Sequence, residues 1–229
     1  MQPYLFPYIG YYQLMHAVDR FVIVDDVTYI KQGWINRNRV LINGRPAYFT
    51  VPVRRHPADA LIRDVEIDTG TGKRWRDPLL KTIQNFYRRA PSFGRVYPLV
   101  ERVIGGPFIR IADMARASLR EVSGYLQIPV TIIDSSAEYG NARLKGEARV
   151  IDTCRAEGAT DYINAIGGEA LYSRETFLAH GIRLHFVATG VIEYSQFDAP
   201  FVPALSIIDL LMFNTPEKAR DLLTRYSLA

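Results

Sequence analysis

Acidic and hydroxyl side chains follow two apolar runs that we predict to be buried strands. They are Asp25 and Asp26 after residues 21–24, and Asp134, Ser135 and Ser136 after residues 130–133. Ligands of open α/β sheets bind beyond the carboxyl ends of the strands, so we expect these groups to meet in one cleft. A carboxylate there could accept the proton of an attacking amine, which makes Asp25, Asp26 and Asp134 candidate catalytic residues. Asp and Ser after strands also serve as turn formers and helix caps, and that interpretation stays open.

A glycine pair follows a third predicted strand, at residues 161–163. Asn164 comes directly after this strand, and Gly167 and Gly168 precede a predicted helix. Glycines let a ligand approach the backbone, and the amides of a helix N-terminus bind phosphate or carboxylate. The segment matches neither G-x-G-x-x-G nor G-x-x-x-x-G-K followed by Ser or Thr, so a tight turn is the alternative.

The segment "GWINRNRV" is a second candidate binding element. Trp34, Asn36, Arg37 and Asn38 stand close together before a predicted strand. An indole ring, a forked guanidinium and amides suit a sugar, a base or a phosphate. The alternative is a tryptophan that anchors a loop, with arginines in solvent.

The chain opens on "MQPYLFPYIGYY", a run rich in tyrosine. Apolar residues recur at helical spacing over residues 8–18, and Met1–Tyr4 is predicted to be the stub of a strand. We expect Tyr8 and Tyr11 to face the cleft and to orient a substrate. Gly10 between them would let a ligand or neighbouring backbone approach.

Several well-defined catalytic motifs are absent from the sequence. It has no H-E-x-x-H, no cysteine and histidine cluster and no G-x-S-x-G, and its single cysteine, Cys154, reads as a core residue. The sequence therefore predicts no protein-ligated metal site. A nucleotide, or Mg²⁺ held by Asp25 or Asp26 with substrate phosphates, is the candidate cofactor.

The pattern of elements predicts an α/β fold. Strands alternate with helices, which is typical of a mostly parallel, Rossmann-like sheet flanked by helices, and the chain ends in helices. The middle is β-rich, with Asn43 and Gly44 marking a hairpin and residues 61–68 alternating like a strand. We predict a single domain, residues 1–229, with a small antiparallel insertion near residues 36–70, inside a segment of about residues 30–90.

Composition and charge indicate the cellular compartment and the class of ligand that we expect. The chain has 229 residues, a net charge of +4 and one cysteine, which excludes an internal disulfide framework. The mild positive charge suits phosphate-bearing ligands. No apolar run is long enough to span a bilayer, and no secretory signal is recognisable. We therefore expect a cytoplasmic protein without a membrane partner; its oligomeric state is left open.

The same segments resemble the WbqC-like protein family. The matching stretches are "QPYLFPYIGYYQLM", "VIVDDV", "GWINRNRV", "APSF", "GATDYINAIGG", "EYSQF" and "FVPALSIIDLLMFN". The resemblance implies a bacterial surface-polysaccharide (O-antigen) pathway and an aminoacyl transferase, in particular a glycine transferase. Members usually carry a few apolar residues before Gln-Pro-Tyr, whereas Met1 directly precedes Gln2 here. Either the start is truncated or misassigned or the first strand is absent, and we favour a misassigned start.

The leading functional hypothesis is transfer of an aminoacyl or acyl group to an amino sugar, which could be nucleotide-linked, or to a related small amine. Aminoacyl-tRNA is a candidate donor. One alternative is a nucleotide-dependent ligase or nucleotidylyltransferase, because Tyr8-Ile9-Gly10-Tyr11 has the spacing of H-x-G-H with tyrosines in place of the histidines. Another is a non-catalytic ligand- or tRNA-binding protein. The predicted substrate-binding residues are Gln2, Tyr8, Gly10, Tyr11, Trp34, Asn36, Arg37, Asn38, Ser135, Ser136, Asn164, Gly167 and Gly168.

Overall fold

The computed structural model describes residues 1–70, 75–197 and 200–229. The helices are α1 (Ile9–His16), α2 (Arg76–Tyr87), α3 (Phe93–Gly105), α4 (Ile111–Leu126), α5 (Gly146–Ala156), α6 (Arg174–Ala179), α7 (Ile207–Phe213) and α8 (Pro216–Leu223). The strands are β1 (Arg20–Val22), β2 (Arg37–Ile42), β3 (Arg45–Thr50), β4 (Thr131–Ile133), β5 (Asp161–Ala165), β6 (Arg183–Thr189) and β7 (Tyr226–Leu228). Short 3-10 helices lie at Ile62–Asp64, Ser136–Tyr139 and Ile166–Leu171.

Four of the strands pair in parallel. β1 pairs with β4, placing Phe21 opposite Ile132, and β5 pairs with β6, placing Asn164 opposite Phe186. β7 adds an antiparallel edge to β6. The α/β prediction is confirmed in this mixed form. Among the described residues the parallel pairs lie in two sheets, β1–β4 and β5–β6–β7, where we predicted one mostly parallel sheet, and β2–β3 is the separate antiparallel pair that we predicted.

The N-terminal backbone lies beside β1. The amino group of Met1 donates a hydrogen bond to the Val22 carbonyl at 2.7 Å, and the Val24 amide donates to the Met1 carbonyl at 2.8 Å. In the segment predicted as a strand stub, residues 1–4, Met1 alone is therefore paired with the backbone at β1 by these hydrogen bonds.

The predicted hairpin is confirmed. β2 and β3 pair antiparallel, with Arg37 opposite Thr50. Asn43 and Gly44 both have positive φ angles, 51° and 71°. Two successive residues with positive φ are typical of the type I′ turn, whose twist matches that of the strands.

The strand predicted at residues 61–68 is wrong. The segment contains the 3-10 helix Ile62–Asp64 and makes only isolated bridges, such as Val53 to Ile67. Ile62, Val65 and Ile67 are all buried, at intervals of three and then two residues. A single tight turn followed by extended backbone satisfies this spacing, so the alternation does not require a strand.

The pattern also missed two elements, α3 and β7. Pro98 lies inside α3, and an interior proline removes a backbone donor and usually indicates a helix end. α3 persists because its apolar face, including Val96 and Val103, is fully buried. β7 is only three residues long, and a run that short carries no readable periodicity.

The interior is divided into a large core and a small one. The large core joins α1, α3, α4, α7 and α8 to the hairpin and β1. The small core packs α5 and α6 on β5 and β6 and contains Cys154, Phe177 and Phe186. Burial raises the pKa of the Cys154 thiol to about 11, which agrees with its prediction as a core residue. Within the described ranges, no helix has the length and apolar character needed to cross a membrane.

Candidate functional site

Two carboxylate–hydroxyl pairs lie where β1 and β4 end. The Ser135 hydroxyl donates to Asp25 Oδ1 at 2.6 Å, and the Ser136 hydroxyl donates to Asp26 Oδ1. Because β1 and β4 are parallel neighbours, the residues that follow them emerge at the same edge. The structure thus brings together four of the five side chains that we expected to converge there; their role in binding or catalysis stays a prediction.

The turn that carries the serines is firmly held. The Ser136 amide donates to the Ile23 carbonyl at 2.7 Å, which ties the turn to the end of β1. The Ser135 hydroxyl also accepts from the Ala137 amide at 3.2 Å, capping the 3-10 helix. The capping interpretation therefore holds for Ser135 in addition to its contact with Asp25.

Asp25 is a buried carboxylate with 2% of its surface exposed. Burial raises its pKa above the ordinary value, and the Ser135 hydrogen bond and the nearby Arg116 guanidinium offset only part of that rise. A carboxylate with a raised pKa holds a proton more tightly than an exposed one, as a general base requires.

Asp26 has a different environment, although it is adjacent in sequence and also buried. Burial by itself would raise its pKa, but hydrogen bonds from Ser136 and Arg149 together lower it below the ordinary value. The Arg149 guanidinium lies 2.5 Å from Asp26 Oδ2 and also donates to Asn141 Oδ1 at 3.0 Å. Asp26 is therefore an ionised partner of Arg149. Our sequence reasoning missed Arg149, since nothing in the local pattern of α5 distinguishes it from a solvent-exposed arginine.

The carboxylate of Asp134 is engaged with α4. It accepts from Arg120 at 2.7 Å, and the Arg116 Nε lies 3.9 Å away. The Asp134 side chain is half exposed. It follows β4 as predicted, but no described hydrogen bond joins it to Asp25 or Asp26.

A cleft of about 950 Å³ is lined by Ser136, whereas Asp25, Asp26 and Ser135 are chain neighbours of lining residues and do not line it themselves. Residues of β1 and of β5 line it. Val24 and Val27, which flank the two aspartates, both line it, and so does Arg149. Six of the predicted substrate-binding residues also line the cleft: Gln2, Tyr11, Ser136, Asn164, Gly167 and Gly168.

The glycine pair is not placed as we predicted. Gly167 and Gly168 lie in the 3-10 helix Ile166–Leu171, and the next α-helix begins only at Arg174. The prediction of an α-helix N-terminus at the pair is therefore wrong. A Cβ on Gly168 would lie 3.1 Å from the Asn164 amide nitrogen, so this glycine gives room to a neighbouring side chain.

The tyrosines of the opening run have separate surroundings. Tyr8 is 40% exposed, and its ring covers Gly10 so closely that a Cβ there would lie 2.5 Å from it. Gly10 thus makes room for the Tyr8 ring, and no ligand is needed to explain it. Tyr11 is buried, and its hydroxyl donates to the Gln2 carbonyl at 2.5 Å. Burial raises the pKa of Tyr11 well above its ordinary value.

The asparagine side chains of "GWINRNRV" donate hydrogen bonds to backbone carbonyls of other segments. Asn36 Nδ2 donates to the Val51 carbonyl at 2.8 Å, and Asn38 Nδ2 donates to the carbonyls of Leu5 and Phe6 at 3.1 and 2.8 Å. Both asparagines are buried, which favours a structural role over ligand binding. Trp34 and Arg37 of the same segment do not line the cleft described above.

The described residues contain no group of three or more His, Cys, Asp or Glu that could hold a metal ion. Both carboxylate oxygens of Asp26 are occupied by hydrogen bonds from Ser136 and Arg149. The candidate cofactor, a nucleotide or Mg²⁺, stays a prediction.

Fold and site together define a mixed α/β protein with paired carboxylates and hydroxyls at the ends of parallel strands. The chain belongs to the WbqC-like protein family, whose sequence profile matches residues 2–221. It is 30% identical over 220 residues to the uncharacterized protein Rv1507c of Mycobacterium tuberculosis, covering 95% of this chain and 93% of that protein. No solved structure matches the chain. The resemblance inferred from the sequence is confirmed at the level of the family.

Proposed function

We propose that the protein is a transferase that moves an aminoacyl or acyl group, glycyl being the first candidate, onto an amine. The acceptor would be an amino sugar, free or nucleotide-linked, of a bacterial surface-polysaccharide pathway. The proposed pathway is the one that the resemblance to the WbqC-like family implies.

The observation that carries the proposal is the Asp25–Ser135 pair, whose chain neighbours Val24 and Ser136 line the cleft. A buried carboxylate with a raised pKa stands at the carboxyl end of a parallel strand, hydrogen-bonded to a half-buried hydroxyl. Pockets of about 300 to 1,000 Å³ hold small molecules, and the adjacent cleft of about 950 Å³ falls in that range.

In the proposed reaction the amine nitrogen attacks the carbonyl carbon of an aminoacyl ester or thioester. The C–N bond forms, the bond from carbon to the carrier oxygen or sulfur breaks, and the amine proton passes through the Ser135 hydroxyl to Asp25. The leaving group then takes up that proton. Asp25 is the base because Asp26 is held ionised by Arg149 and Asp134 is held by arginines of α4. Arg149, which lines the cleft, would stabilise negative charge on the attacked carbonyl.

A transfer assay tests this proposal. The protein is incubated with a glycyl thioester or glycyl-tRNA together with nucleotide-linked amino sugars, and products are identified by mass spectrometry as acceptor plus one aminoacyl group. Loss of a general base costs about 10²- to 10⁴-fold in rate, so Asp25→Asn should lose at least about 100-fold. Asp134→Asn is the matched control and should retain most of the activity.

Two results would reject the proposal. One is equal activity of Asp25→Asn and the unmodified protein. The other is ATP-dependent product formation with release of pyrophosphate, which would identify the nucleotide-dependent ligase alternative.

A further inference from the structure

Aromatic and arginine side chains are grouped on the outward face of the β2–β3 hairpin and the turn before it. We call the group of Trp34, Arg37, Arg39 and Tyr48 the arginine–aromatic patch. The strand register places Arg39 opposite Tyr48. Side chains alternate between the two faces of a strand, so buried residues such as Phe49 point to the core from the other face.

The patch alternates exposed rings with partly buried arginines. The rings of Trp34 and Tyr48 have centroids 6.0 Å apart at an angle of 32°. The Arg37 guanidinium lies 4.8 Å from the Tyr48 ring centroid, and that of Arg39 lies 5.6 Å from the Trp34 ring. Tyr48 is 55% exposed and Trp34 is 36% exposed. Each ring therefore offers surface to a partner in addition to its contact with an arginine.

The positive charge of the patch is not compensated locally. Residues 27–58 contain no Asp or Glu but six basic residues, Lys31, Arg37, Arg39, Arg45, Arg54 and Arg55. Of these six, Arg54 pairs with Glu66. Arg37 donates to the Gly33 carbonyl at 3.1 Å and Arg39 to the Ala204 carbonyl at 2.9 Å. In the described part of the chain neither arginine forms a salt bridge with a carboxylate. Both guanidinium groups are thus held in place by neutral acceptors and keep their full charge.

We propose that the arginine–aromatic patch binds single-stranded nucleic acid. Unpaired bases would stack on Trp34 and Tyr48, and the phosphates would lie beside Arg37 and Arg39. Aromatic rings combined with a positively charged surface are the general means of binding single strands. A peptide of Asp and Glu would match the positive charge, but it would offer no flat rings to stack on Trp34 and Tyr48. The inference goes beyond the proposed transfer reaction and does not depend on it.

Fluorescence anisotropy with the full-length protein and a labelled single-stranded RNA of about ten nucleotides tests the stacking. Replacing Tyr48 by Leu removes the ring, and because base stacking accounts for about 5- to 150-fold in affinity, binding should weaken by that factor. Tyr48→Phe keeps the ring and should bind like the unmodified protein. Melting temperatures of the variants show that the fold is intact.

The salt dependence of binding tests the phosphate contacts. Arg39→Gln should lower the slope of log affinity against log salt by about 0.7, whereas Arg102→Gln, an exposed arginine of α3, should leave it unchanged. The proposal fails if the strand does not bind at physiological salt, or if Tyr48→Leu binds as well as Tyr48→Phe. It also fails if duplex RNA or polyglutamate binds as tightly as the single strand. Asp25→Asn should bind RNA normally, which separates this result from the outcome of the transfer assay.

Discussion

The neighbouring aspartates at the end of β1 have pKa values shifted in opposite directions. Asp25 and Asp26 are both buried and each accepts a serine hydroxyl. The difference is the Arg149 guanidinium, which contacts Asp26 alone. Desolvation is the largest influence on both residues and raises the pKa of Asp25. For Asp26 the hydrogen bonds from Ser136 and Arg149, together with the charge of Arg149, outweigh desolvation and lower the pKa. The proposed roles, Asp25 as the base and Asp26 as an ionised positioning residue, rest on this contrast.

At this scale the first prediction concerns Arg116. Its guanidinium partly lowers the pKa of Asp25, so Arg116→Gln should raise that pKa further above its ordinary value. Arg120→Gln is the control, because Arg120 contacts Asp134 and is not among the groups that shift Asp25. Carbon-13 NMR of the side-chain carboxyls measures the pKa of Asp25 in both variants. An unchanged titration of Asp25 in Arg116→Gln would contradict this assignment of charges.

At the scale of the elements, the loop before α1 is held by hydrogen bonds from several parts of the chain. Phe6 is fully buried with a φ of 43°, a left-handed conformation that costs a non-glycine residue energy. Its amide donates to Ser118 Oγ of α4 at 3.0 Å. Its carbonyl accepts from Asn38 of β2 at 2.8 Å and from Ser206 before α7 at 2.7 Å. Three separate elements therefore hold this loop, which sets the positions of Gln2 and Tyr8.

The second prediction follows from these contacts. Asn38→Ala leaves the Leu5 carbonyl without the Asn38 donor and takes one of two donors from Phe6, so it should destabilise the protein by about 1–3 kcal/mol. Arg45→Ala, at an exposed position of the same hairpin, should change stability by less than about 0.5 kcal/mol. Urea denaturation compares the two variants. Equal stabilities would show that the asparagine does not hold the loop.

At the scale of the whole molecule, the Asp26–Arg149 pair connects the end of β1 to α5, which packs in the small core. The two residues are 123 positions apart in the chain. Their side chains are only 3% and 13% exposed. Removing one partner of a buried ion pair strongly destabilises the folded protein, because the other charge is left buried and uncompensated.

The third prediction is that Asp26→Asn costs about 3–5 kcal/mol in denaturant unfolding. Arg54→Gln, which breaks the exposed pair with Glu66, should cost no more than about 1 kcal/mol. The folded-state pKa of Asp26 is lowered, so its stabilising contribution is present above the unfolded pKa and is lost as the pH falls through the folded pKa. Stability of Asp26→Asn should accordingly fall less in acid than that of the unmodified protein. A parallel fall would rule out this contribution.

Local pattern was sufficient for much of the fold. The apolar runs at β1, β4, β5 and β6 and the Asn43-Gly44 turn were visible because each depends on neighbouring residues. The prediction failed at residues 61–68, where buried apolar residues line a turn, and at α3, where burial of one face overrides the effect of Pro98.

By itself, the sequence determined the family, the parallel strand pairs and the placing of Asp25, Asp26, Ser135 and Ser136 at one edge, because residues after parallel strands emerge together. Only the tertiary structure decided which acid is held by Arg149 and which asparagines serve the backbone. It also separated the arginine–aromatic patch from the cleft. Those outcomes depend on contacts between residues far apart in the chain, which local spacing does not encode.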